Sequence, residues 1–250
     1  MGKLAWGRRT NGVLSQREAK QLLRGVIRVQ ARDLFDRVRR KLGLLRPADI
    51  ELADLEPPDS KLSADARTLA ESSQPRALLL HCWRTYYFGV LIAKYDRMDF
   101  DPELFFAASM LHDIGMTAAT KAPRTACCFA VSGAIHAYEQ LTARGHAPLT
   151  ATRIGDAISL HMNLDVGVDC GAEAFMLARG AVCDVFGAGL ARISTPSVQA
   201  VIGRCPREDL RGVLFVTDHL AGTRTALLNK LARGTVPPHP LDGPRRARGY

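Results

Sequence analysis

Apolar residues recur at helical spacing along most of this chain, and segments that alternate with a period of two are essentially absent. The clearest case is the segment from Pro75 to about Tyr95, in which one helical face collects a spaced set of side chains. That set is Leu78, His81, Thr85, Phe88 and Ile92. The pattern predicts an all-α protein and places His81 on the inward face of a long helix.

Capping residues and helix breakers predict where the individual helices begin and end. Ser15 and Glu18 form a capping-box pattern, and Asp101-Pro102-Glu103 is typical of a helix N-terminus. The latter helix is expected to end at the adjacent pair His112-Asp113, before an irregular loop over 117–128. The other predicted helices cover 16–41, 61–72, 75–95, 129–144, 151–163, 172–186, 195–203 and 207–231.

The positive charge is concentrated near the N-terminus, since residues 1–46 hold 13 Lys and Arg against three Asp and Glu in a chain of net charge +9. We therefore predict a basic helical arm with a linker over 1–58, a helical domain over 59–235 and a flexible basic tail over 236–250. On the arm helix, one stripe is expected to pack on the body: Leu22, Val26, Val29, Leu34 and Val38. Binding of this arm to nucleic acid or to an anionic membrane is the alternative interpretation.

Composition bears on the class of protein, on the state of its cysteines and on its expected location in the cell. Hydrophobic residues at 47% and charged residues at 24% are ordinary for a globular domain. No run of about 18 apolar residues exists, and the N-terminal residues lack the apolar core of a signal peptide. The six cysteines have no C-x-x-C spacing, which favours free thiols over a thiolate zinc site. A cytoplasmic location is the expectation, and the oligomeric state, including a homo-oligomer, is left open.

Six polar residues on or beside the predicted helices could meet at one centre. In chain order they are His81, His112, Asp113, His136, His161 and Asp184. Apart from the adjacent pair, they are separated by about one helix plus one loop, so consecutive antiparallel helices would each deliver one group. Mixed imidazole and carboxylate ligands suit a divalent ion, with zinc favoured and Mn, Fe or Co as alternatives. Hydrolysis or hydration of a small molecule is the chemistry that such an ion supports.

The order H…HD…D, given by His81, His112-Asp113 and Asp184, resembles the HD-domain superfamily of metal-dependent hydrolases over about residues 60–205. Five local strings are similar to its cyanamide-hydratase-like branch. They are HCWRTYYFG (81–89), DPELFFAASMLHDIGMT (101–117), CFAVSGA (128–134), AISLHMN (157–163) and ARGAVCDVFG (178–187).

This resemblance implies an HD-domain helical bundle with a metal, commonly zinc, held by His81, His112, Asp113 and Asp184. The enzyme that names the branch adds water across a nitrile to give a urea. Carried over to this chain, His161 and Asn163 would contact substrate or relay protons, and Asp113 would also act as a catalytic proton acceptor. Where that enzyme tends to have Phe-Glu, this chain has Phe129-Ala130, so cyanamide itself is a weaker candidate substrate.

A phosphohydrolase acting on a nucleotide or another phosphoester is the rival hypothesis. It requires a basic anion pocket, for which Arg84, Lys121 and Arg124 are the candidates, and Arg84 could equally form a plain ion pair. His136 and His161 could hold a second metal, and a dinuclear site would favour phosphoester chemistry. A third hypothesis makes the protein a nucleic-acid or membrane-associated protein with a merely structural metal.

Overall fold

A computed structural model describes residues 2–208, 218–235 and 239–241, and it is an all-α bundle. Within this part of the chain, the only β-type contacts are two isolated bridges, Val13 with Thr223 and Ala48 with Ile193. The α-helices are α1 (Leu4–Thr10), α2 (Gln16–Lys41), α3 (Lys61–Ser73), α4 (Arg76–Asp96), α5 (Pro102–Leu111), α6 (Phe129–Ala143), α7 (Pro148–Leu160), α8 (Ala172–Phe186), α9 (Thr195–Arg204) and α10 (Arg224–Thr235). The predicted fold class is confirmed.

Side-chain caps explain why several helices begin where they do. Ser15 and Glu18 form the predicted reciprocal capping box at the start of α2. Asp101 accepts hydrogen bonds from the first backbone amides of α5, and Pro102 occupies its first turn. These caps satisfy amide groups that have no partner within the helix, so the local sequence determines the helix start.

The structure differs from the predicted helices at three places. Residues 4–10, for which no helix was predicted, form α1, whose Leu4 is buried and whose Gly7 lies against Val131 of α6. Helix α7 begins at Pro148 rather than 151 and ends at Leu160, because Pro148 fits the first turn and residues 161–163 continue as a 3-10 turn. Of the predicted helix 207–231, residues 209–217 lie outside the described part, 218–223 are not helical, and 224–231 belong to α10.

The core is built around α4, which is buried on nearly all sides by α5, α8 and α9. Its middle consists of bulky aromatic residues, and Tyr86 stacks on Phe105 of α5 and contacts Phe106 edge-on. Helix α6 packs against α7, and α3 packs against α5. Burial of this aromatic surface is the main stabilising contribution to the bundle, and it fixes the helices that carry the polar centre.

Helix α2, the predicted arm, packs against the rest of the bundle, but only part of its predicted apolar stripe is buried. Leu22 and Val29 are buried, whereas Leu34 and Val38 are exposed. The prediction for these two was wrong because polar contacts orient the second half of α2. Asp36 is buried against Arg192 there, and Asp33 accepts a hydrogen bond from the backbone of Gly189.

Part of the predicted tail 236–250 packs against the bundle. Only residues 239–241 of this tail are described, and His239 is buried, with its Nε2 donating a hydrogen bond to the Cys183 carbonyl.

None of the described helices combines the length and the apolar character needed to cross a lipid bilayer.

Candidate metal centre

The first imidazole of the centre comes from α4, which packs very closely on α8. A Cβ atom added at Gly180 of α8 would lie 2.2 Å from the Thr85 carbonyl oxygen, so only glycine permits this approach. The close packing brings His81 to Asp184 across the two helices, and the His81 Nδ1–H donates to Asp184 Oδ2 at 2.6 Å. Both side chains are fully buried.

The adjacent pair His112-Asp113 lies at the C-terminal end of α5, as the sequence predicted. A 3-10 turn over Ile114–Met116 follows at once. In that turn, a Cβ atom at Gly115 would lie 1.9 Å from the Phe129 carbonyl oxygen and 2.9 Å from the Gly133 amide nitrogen. Glycine at 115 therefore lets the turn rest directly on the first turn of α6, and this contact fixes the direction of the Asp113 carboxylate.

The third imidazole, His161, lies just after the end of α7. Its Nδ1–H donates to the carbonyl of Ile158 at 2.6 Å, and its ring meets the His112 ring edge-on with centroids 5.1 Å apart. His161 is 4% exposed, so it belongs to the same buried centre.

These three imidazoles surround one carboxylate. Asp113 Oδ2 lies 3.4 Å from His81 Nε2 and 3.3 Å from His112 Nε2, and its Oδ1 lies 3.6 Å from His161 Nε2. His81, His112 and Asp113 form the one group of three among the described residues whose donor atoms are close enough to hold a metal ion. This group could hold a divalent ion, as the sequence predicted.

The hydrogen bonds also fix the tautomers of the three rings. Each Nδ1 faces an acceptor, which is Asp184 for His81, the Ser109 carbonyl for His112 and the Ile158 carbonyl for His161. Each Nδ1 therefore carries a hydrogen, and each Nε2 is left with a lone pair that points inward. The Nε2 atoms of His81 and His112 are 3.1 Å apart, and two lone pairs at that distance repel unless a cation lies between them.

When no metal ion is bound, a proton on His112 supplies the positive charge that is needed between the two Nε2 atoms. Burial alone would lower the pKa of His112, but the Asp113 carboxylate raises it well above its ordinary value. Burial lowers the pKa of His81, and burial together with the charge of His112 lowers the pKa of His161 to about 3. Burial would raise the pKa of Asp113, yet the surrounding imidazoles hold it below its usual range. The centre is thus a preformed site for one extra positive charge.

Asp184 occupies a different position from the one expected. One of its oxygens accepts from His81, and the other accepts from Arg84 Nε at 2.7 Å and Arg207 Nη1 at 2.6 Å. Both oxygens are thus engaged outside the group that surrounds Asp113. Burial would raise the pKa of Asp184, but His81 and Arg84 together lower it, so the carboxylate stays ionised and fixes the His81 ring.

A cavity of about 80 Å³ opens onto His81, His112, Asp113 and His161. The rest of its described lining is almost entirely apolar and comes from five places in the chain. Representative residues are Met116, Phe129, Val182, Val185 and Leu228. Thr225 and Asn229 of α10 add two polar groups, and the described lining contains no Lys or Arg.

Both residues expected to bind substrate are engaged elsewhere. Arg84 is fully buried and, besides its ion pair with Asp184, donates to the carbonyl of Pro206 at 2.8 Å. Asn163 accepts from Arg224 at 3.0 Å, because the 3-10 turn after α7 carries it past the cavity. Neither lines the cavity, so their contact with a substrate stays a prediction that the cavity itself does not support.

The predicted second metal pair, His136 and His161, is not brought together. The charged groups that act on His136 are Glu139, Lys121 and Arg144, and those that act on His161 belong to the buried centre and to Arg224. His136 also belongs to no group of three metal-binding side chains among the described residues. The sequence around His136 did not determine which way its side chain faces.

The sequence did not reveal which outer groups complete the centre. The carbonyls of Ser109 and Ile158 lie three residues before His112 and His161, a relation that any helix end can produce. Arg207 follows α9 in a non-helical segment, and no local pattern connects it with Asp184.

No protein-family model matches this chain, and no curated protein matches it significantly. Membership of the HD-domain superfamily therefore stays a prediction from the motifs, alongside the geometry of the centre.

Proposed function

We propose that this protein is a metal-dependent hydrolase or hydratase of the HD-domain type, acting on a small uncharged molecule. The observation that carries the proposal is the convergence of three imidazole Nε2 atoms on the Asp113 carboxylate, at the base of an apolar cavity. The donor set of imidazole nitrogens and one carboxylate fits zinc, and Mn, Fe or Co would also be accepted. When bound, such an ion supplies Lewis acidity and lowers the pKa of water toward about 7.

The chain's own residues divide the remaining tasks. His81, His112 and Asp113 would hold the ion, and His161 Nε2 is directed at the same point. Asp184 fixes the His81 ring, and Arg84 and Arg207 fix Asp184. Asp113 Oδ1 is the nearest carboxylate oxygen that could accept a proton from water in the cavity. The apolar walls exclude bulk water, which strengthens the electrostatic interactions inside.

The cavity supports an uncharged substrate over a phosphoester. Stabilising a phosphoryl group requires cationic or metal groups around its oxygens, and no described Lys or Arg lines the cavity. The three cations that could have formed an anion pocket are occupied, since Arg84 pairs with Asp184, Lys121 with Glu139 and Arg124 with Asp218. A nitrile or a similarly compact, neutral carbon electrophile fits the space and its apolar lining.

The same cavity also argues against a purely structural metal. Structural zinc sites are closed, with four protein ligands and no access for other molecules. Here the side chains that would hold the ion form part of the cavity wall. An open position beside the ion is what a catalytic site requires.

A substrate screen tests the reaction class directly. The purified protein, loaded in turn with Zn, Mn and Co, is incubated with a panel of small nitriles and a panel of phosphoesters. We expect amide or urea products from at least one nitrile and no release of inorganic phosphate. Phosphate release without any hydrated nitrile would decide for the phosphohydrolase.

A pair of variants tests the arrangement of the ligands. Asp184→Asn is expected to lower metal affinity by about 10-fold to 100-fold, as loss of an outer hydrogen-bond partner typically does. His161→Gln, which removes a direct donor, is expected to have the larger effect. Affinity is measured by competition with a chromophoric chelator, and far-UV circular dichroism verifies that each variant is folded. The opposite order, with Asp184→Asn abolishing binding and His161→Gln leaving it intact, would restore Asp184 as a direct ligand.

A further inference from the structure

The outward side of α2 exposes a continuous row of large apolar side chains. Leu34 is 64% exposed and Phe35 61% exposed, although both lie in the middle of a regular helix. We call the exposed set the outer face of α2; it consists of Ile27, Leu34, Phe35, Val38, Leu42 and Leu44. Residues 27, 34, 38 and 42 are spaced by seven, four and four, so they lie on the same side of the helix. Exposed apolar surface of this extent commonly marks an interaction site.

The opposite side of α2 holds the helix on the body without help from the outer face. Arg28 and Arg32 pair with Asp165, and Arg40 donates to the carbonyls of residues 190, 191 and 193. Leu22 and Val29 are buried beneath the helix. The outer face is therefore presented on an anchored helix, and packing of the described chain does not explain its apolar character.

The charges around the outer face are all of one sign. Between residues 19 and 46 the only acidic residues are Asp33 and Asp36. Both are turned toward the body, where Asp33 accepts from the Gly189 amide and Asp36 pairs with Arg192. Besides Arg28, which pairs with Asp165, the exposed charged side chains of this stretch are Lys20, Arg24, Arg37, Lys41 and Arg46, and of these Arg37 pairs with Asp33. The outer face is thus an apolar row flanked by cations alone.

We propose that the outer face of α2 binds the surface of an anionic lipid bilayer, with the helix lying in the plane of the interface. An amphipathic helix with Leu and Phe on one side and Lys and Arg beside them combines the two attractions that such binding needs. The apolar row enters the boundary between headgroups and acyl chains, and the flanking cations meet the anionic headgroups. The proposal goes beyond the reaction class and does not depend on it.

Charge complementarity distinguishes this partner from two others. A second copy of this chain, packed through the same face, would bring Arg24 and Lys41 against equivalent cations, with no exposed carboxylate on α2 to compensate. A nucleic acid would pair with the cations, but phosphates and sugars offer nothing to cover Leu34 and Phe35. An anionic bilayer satisfies both parts of the surface.

Vesicle co-sedimentation of the full chain tests the proposal, with phosphatidylcholine vesicles compared with vesicles that also contain phosphatidylglycerol. We expect binding to the anionic vesicles only. The triple variant Leu34→Ser/Phe35→Ser/Val38→Ser should lower the partition coefficient by more than about 10-fold, because three apolar side chains no longer enter the interface. The double variant Arg24→Gln/Lys41→Gln should lower it by about fivefold per charge removed.

The exposed Leu149 of α7 provides the matched control, since Leu149→Ser removes an equally exposed leucine from a different surface and should leave vesicle binding unchanged. All substituted side chains are solvent-exposed, so the variants should fold, and circular dichroism verifies this. Binding that the triple variant retains, or that ignores phosphatidylglycerol, overturns the proposal. Light scattering that shows a dimer dissociated by the triple variant, or tight oligonucleotide binding without vesicle binding, overturns it in favour of a second copy or a nucleic acid.

Discussion

Asp113→Asn is expected to lower the affinity for a divalent ion by about 100-fold or more, because it removes the one carboxylate on which three imidazoles converge. The substitution keeps the size of the side chain, so the cavity is preserved while the negative charge is lost. Metal content after dialysis is the direct measurement, and hydration of a nitrile substrate should disappear with it. The melting temperature of the metal-free protein should also fall, since the protonated His112 loses its counter-charge.

The control for this variant is Glu139→Gln, which neutralises an exposed carboxylate that pairs with Lys121 on the surface of α6. Its metal content and stability should match those of the unmodified protein, because exposed ion pairs contribute little. If Asp113→Asn kept one tightly bound ion per chain, the proposed centre would be wrong.

Gly115→Ala is expected to have the second large effect, and it acts through the backbone. The added methyl group would lie 1.9 Å from the Phe129 carbonyl oxygen, and a carbonyl at the start of a helix cannot rotate away as a flexible side chain can. The 3-10 turn must shift away from α6, which we expect to cost about 3 kcal/mol in unfolding free energy. The shift also redirects Asp113, so metal affinity should fall together with stability.

A glycine without neighbours provides the comparison. Gly203 lies in α9, and nothing is within 4 Å of the position of an added Cβ atom. Gly203→Ala should therefore stabilise the protein by about 0.5–1 kcal/mol, through helix propensity alone. Both variants are measured by denaturant unfolding with and without metal. Equal stability of the two would show that the contact between the turn and α6 does not fix the centre.

Periodicity and capping made most of the fold predictable. The face of α4 placed His81 inward, and the Asp101-Pro102 signature placed the end of α5 at His112-Asp113. These predictions succeed because the position of a side chain on a helix follows from its number along the chain.

The residues that form hydrogen bonds with the candidate ligands were less predictable. Their roles depend on side-chain angles and on contacts between segments that are distant along the chain. The sequence could place Asp184 on the inward side of α8, but not whether its oxygens face a metal or the Nδ1 of His81. Asn163 is two residues beyond His161, yet the change from α-helix to 3-10 turn directs it to Arg224. On α2, the buried polar contacts of Asp33 and Asp36 set the rotation of the helix, and apolar periodicity alone favoured the other side.

The polar centre and its cavity also constrain when the protein can become active during its synthesis. The groups that surround the cavity are drawn from residue 81 to residue 229, which is more than half of the chain. Contacts between such distant segments form only after the intervening loops have closed. A chain emerging from the ribosome therefore presents His81 and His112 well before α10 exists to wall the cavity. Capture of the ion and enclosure of the substrate space are expected to be separate, successive events in the maturation of the protein.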